Sequence, residues 1–318
     1  MKVLLTGAFG NFGTTALRSL LEQGHEVRCF DLETEANQKI AAKFENRIET
    51  IWGDVRNSSD LARTVPEVEV VIHLAFIIDM IRSDQQPEWA WEINVGGTKN
   101  LLDAMKEQSV QGKIIFASST SVFGHTQHME PPRTLSDPVQ PTSTYTHHKV
   151  ECEELVKRSG LDWSILRIAF SPPEVGGKFE ADLFQLEPDS RLEFVHPRDV
   201  GLAVTNAVSS TKIWGKTLLI GGGSDSQLIY RDFIRQLTDA IGIRPLPEEA
   251  FALAPSSPLD WVDSTESQSL LHYQKHSFED FIRGVPASMG SMKYVVRVLS
   301  PLVRRSILNQ SPFLRQDT

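Results

Sequence analysis

Cysteine is nearly absent: Cys29 and Cys152 are the only two in 318 residues, and they share no CxxC spacing. That excludes a disulfide framework and a thiolate zinc site, and it fits a reducing, cytoplasmic setting. Long apolar runs are missing as well. No stretch approaches the roughly 18 residues that span a bilayer, and Thr6, Gly7, Gly10 and Asn11 interrupt the apolar start before a signal-peptide core can form. The chain is therefore expected to begin directly with a strand and to carry no integral membrane segment. Basic charge is also scarce. With 32 Lys and Arg against 41 Asp and Glu, the net charge of -9 repels a phosphate backbone, so nucleic acid is not an expected partner. Histidines offer no metal site, because His125 and His128 stand in a loop without a third ligand at credible spacing. Internal repeats and low-complexity tracts are lacking too.

What is present is globular: 40% of residues are hydrophobic and 23% charged. Short apolar runs alternate with helix-period segments. Lys2 to Thr6 precedes a helical stretch from Asn11 to Glu22, and Glu26 to Asp31 precedes another around Glu35 to Phe44. This βαβα order predicts a parallel sheet covered on both faces. Further strands are expected at Ile48 to Trp52, Val70 to Leu74, Lys113 to Ser118, Trp163 to Ile168 and Lys216 to Ile220, with helices near Trp89 to Glu107 and Thr144 to Ser159. Prolines and glycines break the pattern at Ser171 to Gly177, and prolines crowd the chain again after Ile243.

The first strand runs into Thr6-Gly7-Ala8-Phe9-Gly10-Asn11-Phe12-Gly13 and then a helix. Gly7 permits a tight turn, Gly10 lets backbone approach a pyrophosphate, and Gly13 allows close helix packing. Phe9, Asn11 and Phe12 complete the loop that would touch the dinucleotide. The second strand ends at Asp31, 18 residues after Gly13, where a carboxylate can bind both hydroxyls of an adenosine ribose. Asp31 and Glu33, with no Lys or Arg from 29 to 38, disfavour a 2′-phosphate and select NAD over NADP. Asp54, after the third strand, fits the adenine edge and fits a loop or N-cap aspartate equally well.

Tyr145 and Lys149 are spaced i,i+4, which sets both on one helix face. A nearby ammonium favours the phenolate, so the pair is expected to work as a proton donor and acceptor. Phe116-Ala117-Ser118-Ser119-Thr120 places hydroxyls at the C-terminal end of a strand, where ligands of such sheets bind. Ser119 would hold the substrate oxygen there. His147 and His148 are expected to project from other helix faces, as surface histidines, and His196 fits either a structural hydrogen bond or the substrate side.

These residues resemble the extended short-chain dehydrogenase/reductase family, in the branch of NAD-dependent epimerases and dehydratases. TGAFGNFG at 6–13 is similar to that branch's TGxxGxxG, Asp31 to its ribose acid, Gly53-Asp54-Val55 to its adenine corner and His73-Leu74-Ala75-Phe76 to its HLAA element. Ile93 to Asn100 resembles a helix whose asparagine, here Asn94, stands near the active site. Leu166-Arg167, Phe194 to Val200 and Ile220 to Gly223 are further landmarks, so the resemblance covers roughly residues 1–240. It implies an α/β fold: a doubly wound parallel Rossmann sheet over 1–170 with return segments near 194–223, and a smaller substrate-binding lobe from 171–193 and 224–318. It also implies NAD as cofactor, held by the glycine loop, Asp31, Asp54, Val55, Leu74, Ala75, Phe76, Ser118, Tyr145, Lys149, Ala169 and Phe170. Tyr145 becomes the acid/base, Lys149 lowers its pKa and grips the nicotinamide ribose, Ser119 orients substrate and Asn94 supports a proton path. A backbone-bonding role for Asn94 stands beside that one.

One departure bears on substrate. Branch members that read sugar nucleotides often carry an Asn and a YGP turn after the arginine strand, whereas this chain has Ile168-Ala169-Phe170-Ser171-Pro172-Pro173. Phe76, Ile77 and Ile78 with Met80 and Ile81 either line an uncharged acceptor pocket or pack under a lid. Phe76, Ser119, Thr120 and Ser171 are the expected substrate contacts. The tail from Met292 to Leu308 is amphipathic and broken by Pro301. It is expected to pack on its own domain or on a twin subunit, which leaves a homodimer open, with a membrane-surface contact as the alternative. Three functions remain: an oxidoreductase exchanging hydride between NAD and a secondary alcohol or ketone, an NAD-retaining epimerase or dehydratase on a sugar nucleotide or polyol, and a non-catalytic NAD-binding sensor.

Overall fold

A computed structural model describes residues 1–108, 112–173, 181–253 and 257–314. The expected run Ser171 to Gly177 therefore lies partly outside the described residues. Seven strands form one parallel sheet: β1 (Lys2–Thr6), β2 (Glu26–Asp31), β3 (Glu49–Trp52), β4 (Val70–His73), β5 (Lys113–Ser119), β6 (Asp162–Ile168) and, after β7 (Arg191–Glu193), β8 (Lys216–Ile220). Their order is β3-β2-β1-β4-β5-β6-β8. The chain moves outward from β1 to β3, then returns to lay β4 on the other side of β1. That reversal opens a crevice at the C-terminal strand ends, the usual ligand position in such sheets.

Alternation along each strand divides the core into two layers. Val3, Leu5, Cys29, Ile72 and Ile115 point to the face covered by the helices Asn11–Glu22 and Pro197–Ser209. Leu4, Phe30, Val71 and Phe116 point to the opposite face, under Gly97–Glu107 and Thr144–Lys157. Both cysteines are buried and free.

A third core forms around Phe184, Phe194, Tyr230, Phe233, Phe251, Phe278 and Phe281. Beside it β7 pairs antiparallel with β9 (Gln227–Ile229), a two-stranded sheet that the sequence patterns did not reveal. Three-residue strands are too short to show a period. Asp260 ties this lobe to the loop after β5, accepting from Thr126 at 2.8 Å and pairing with Arg191 at 2.6 Å and Arg133 at 3.4 Å. The expected helix from Trp89 to Glu107 contains a π-helical turn over Glu92–Gly96, a widening often found at functional sites.

Candidate active site

The glycine turn is sterically fixed. Gly7 adopts φ +65° and its amide donates to Phe30 O at 2.9 Å, while a Cβ there would meet Ala75 N at 2.8 Å. At Gly13 a Cβ would fall 2.1 Å from Gly7 O, so no other residue lets the helix sit this close. Gly10 caps that helix without a side-chain hydrogen bond, and its first turn carries no acid. Uncapped first-turn amides at Asn11 and Phe12 make a site for an anion such as a pyrophosphate. Phe9 packs on Trp52, ring centroids 5.3 Å apart.

At the end of β2, Asp31 accepts from Phe9 N at 2.9 Å, Leu32 N at 2.8 Å and Asn37 Nδ2 at 3.2 Å. Burial pushes its carboxyl above the usual range and these amides pull it back. Asp54 is engaged differently: Arg56 pairs with it at 2.6 Å and holds its carboxyl below the usual range. Val55 is buried against Gly97, where a Cβ would lie 2.6 Å from its methyl.

Beyond β4 the chain is pinned by hydroxyls. Thr6 Oγ1 lies 2.7 Å from His73 Nδ1 and accepts from the amides of Leu74 and Ala75, and His73 Nε2 meets Thr98 Oγ1 at 3.0 Å. Burial, with the Lys149 charge nearby, depresses His73 to about 3, so its ring is neutral. Asn94, inside the π turn, holds the next segment: its Oδ1 accepts from Ile77 N at 2.7 Å and its Nδ2 donates to Ile77 O at 3.2 Å. The amide thus bonds backbone of another segment, not of its own helix. Its Nδ2 also stands 3.3 Å from His148 Nδ1. His148 is buried, which corrects the expectation of a surface histidine: it lies at i+3 from Tyr145, adjacent to the inward stripe, and the π turn brings Asn94 to it.

The helix Thr144–Lys157 begins with a capping box in which Ser143 and Thr146 bond each other's backbone amides. That start fixes the face along which Tyr145, Lys149 and Glu153 follow at i, i+4 and i+8 toward β5. Tyr145 is half-buried, and desolvation pushes its phenol up to about 12 while the nearby Ser119 side chain pulls it the other way. Ser119 Oγ accepts from Ser121 N at 3.2 Å, in a turn that begins with buried Thr120. Lys149 is buried, donates to Ala117 O at 2.7 Å and sets its Nζ 3.4 Å from the centre of the Phe76 ring. Desolvation lowers it to about 7, with Cys152 and Glu153 opposing. The same Nζ stands 5.7 Å from the centre of the Tyr145 ring, and Phe76, which takes the ammonium, meets Tyr145 edge-on at 5.8 Å.

Not every expected residue converges. Ser118 Oγ donates to Glu153 Oε1 at 2.6 Å, away from Ser119, and Arg167 closes on the same carboxylate at 2.9 and 2.8 Å. Ala169 N donates to Ile220 O, and the Phe170 ring stands against Phe233 at 5.4 Å, within the lobe's aromatic core. Ser171 Oγ is buried without a hydrogen-bond partner among the described residues. Ile78 is 69% exposed and Met80 is exposed, whereas Phe76 and Ile77 are half-buried; the side chain of Ile81 lies outside the described residues. His196 caps its helix, accepting from Arg198 N at 3.1 Å, and stacks on His276. Glu153 went unnoticed in the sequence, although its place four residues after Lys149 was the available signal.

The model of the NAD dependent epimerase/dehydratase family matches residues 3–211. A 3-beta-hydroxysteroid dehydrogenase of Mycolicibacterium neoaurum is 29% identical over 188 residues, 58% of this chain and 50% of that relative, so the match spans half its length. A D-erythronate dehydrogenase of Haemophilus influenzae is 24% identical over 313 residues, 92% of this chain and 90% of that protein. Among solved structures, the DesIV double mutant, a dTDP-glucose 4,6-dehydratase from Streptomyces venezuelae with NAD and DAU bound, is similar at a TM-score of 0.78 and 24% identity, covering 93% of this chain and 98% of that one.

Proposed function

The chain belongs to the NAD dependent epimerase/dehydratase family, and we propose that it is an NAD-dependent dehydrogenase acting on an uncharged secondary alcohol or ketone, with Tyr145 as its acid/base. The observation that carries this reading is the Tyr145 phenol beside Ser119 at the end of β5, edge-on to the half-buried Phe76 ring, with Ile78 and Met80 beyond it exposed to solvent. The uncapped amides after Gly10 would hold the pyrophosphate, Asp31 the adenosine ribose and Lys149 the nicotinamide ribose. When bound, the cofactor supplies the hydride or takes it up. A phenol pushed up to about 12 keeps its proton at neutral pH, which suits the reductive direction: Tyr145 gives that proton to the carbonyl oxygen, and solvent restores it. The Ser119 hydroxyl donates to the same oxygen as charge grows on it. The Ser171 Oγ, buried and without a hydrogen-bond partner among the described residues, is a further group for a substrate hydroxyl.

The family's own description includes epimerases and dehydratases, which regenerate NAD within each turnover and need not release it. Denaturing the purified protein and assaying the supernatant for NAD separates the two. An empty protein that titrates reversibly with NADH is expected; stoichiometric NAD in the supernatant would overturn the dehydrogenase reading in favour of an epimerase or dehydratase. Tyr145→Phe is expected to lower kcat by about 100- to 10,000-fold while NADH affinity stays unchanged. Full residual turnover would remove Tyr145 from the mechanism.

A further inference from the structure

The last two helices, Met292–Val298 and Ser300–Leu308, carry apolar residues on both faces. Val296, Val303, Ile307 and Leu308 pack inward on the lobe core. Met292, Val295, Leu299 and Leu302 follow one another outward at steps of three and four, the repeat of a single helix face, and Val298 lies beside them. All five are exposed, Val298 by 80% and Leu302 by 64%. The stripe continues across the break at Ser300 and Pro301, so the two helices present one surface. Side chains this large, contiguous and uncovered mark a surface that binds something.

Charge selects what binds. No Asp or Glu occurs between Asp280 and Asp317, whereas Arg283, Lys293, Arg297, Arg304, Arg305 and Arg315 fall in that stretch, in a chain of net charge -9. Arg297 and Arg305 are exposed at the edges of the stripe, and Lys293 stands 5.1 Å from the ring of exposed Tyr294. Arg283 is answered by Asp280 at 3.2 Å, and Glu248 is engaged with Arg231 at 3.0 Å, which leaves the cations from Lys293 onward to face the surface. A second copy on this face would set arginines against arginines with no acid in the stretch to answer them. An anionic lipid surface answers both the apolar stripe and its cationic border. We infer that this face docks the protein on the surface of an anionic membrane, its apolar stripe lying in the interface. Among the described residues no helix is long and apolar enough to cross a membrane, which agrees with docking rather than spanning.

The inference is independent of the reaction and is tested on the full chain by co-sedimentation with vesicles of phosphatidylcholine alone and of phosphatidylcholine with one-third phosphatidylglycerol. Binding is expected to the anionic vesicles only, weakening as salt is raised. Arg297→Gln and Arg305→Gln should each lower the partition constant by about fivefold, and Val298→Asp with Leu302→Asp should abolish binding without changing the thermal melt. Binding to neither vesicle, or equally to both, would overturn the inference. So would a dimer by light scattering that Val298→Asp splits in the absence of any vesicle binding, which would give the face to a second copy.

Discussion

Two charged groups on one helix face are built in opposite ways. Glu153 is closed: Arg167 grips it with two hydrogen bonds, Ser118 adds a third and Lys157 stands 3.7 Å away. Lys149, one turn earlier, has a carbonyl oxygen and an aromatic ring instead, and no carboxylate in direct contact among the described residues. Asp31 is open in the same sense, with backbone and side-chain amides as partners and no cation among the described residues. A charge whose countercharge is complete fixes structure; one held by neutral groups keeps free energy in reserve for a charged or hydroxylated ligand.

Breaking the closed site should cost the most. Glu153→Gln leaves Arg167 buried without its partner and is expected to lower stability by about 3–5 kcal/mol in urea unfolding. Replacing both by apolar residues, Glu153→Leu with Arg167→Met, should recover most of that loss, because no lone charge then remains inside. If the single variant unfolds like the parent, the pair is not closed in solution and the contrast with Lys149 disappears.

For Lys149 the effect is of similar size at most and depends on pH. Burial lowers its pKa to about 7 from 10.5, so between those values the unfolded chain binds a proton that the folded protein does not. Stability from this group therefore rises with pH across that window, and below about 7 the folded protein bears the full cost of a buried ammonium. The stability difference between parent and Lys149→Met should move in the parent's favour by a few kcal/mol as pH goes from about 7 to 10.5. Urea titrations at stepped pH measure it; a difference that stays flat would mean that water reaches the amine.

The sheet was legible because its strands are buried on both faces and read as apolar runs, and the glycine loop because Gly7 and Gly13 admit no side chain. The spacing of Tyr145 and Lys149 correctly placed them on one face, yet could not show that Phe76, 73 residues before Lys149, lies on the ammonium. The same limit hid the bond between Asn94 and His148 and the pairing of Glu153 with Arg167. Local period reports which face a side chain takes. It does not report what the fold brings to meet it.

At Asp31 the smallest effect on stability should accompany the clearest change in ligand. Asp31→Ser with Leu32→Arg removes a carboxylate bonded to amides and adds a cation at a half-exposed position, so unfolding should shift by only about 1 kcal/mol. The ratio of NADP to NAD affinity should rise about 10- to 100-fold, because a 2′-phosphate then meets a positive group where it met a negative one. Fluorescence titration with both reduced cofactors reads the ratio directly. An unchanged ratio would place the ribose elsewhere and leave Asp31 as a clamp on Phe9 N, which would make it as closed a site as Glu153.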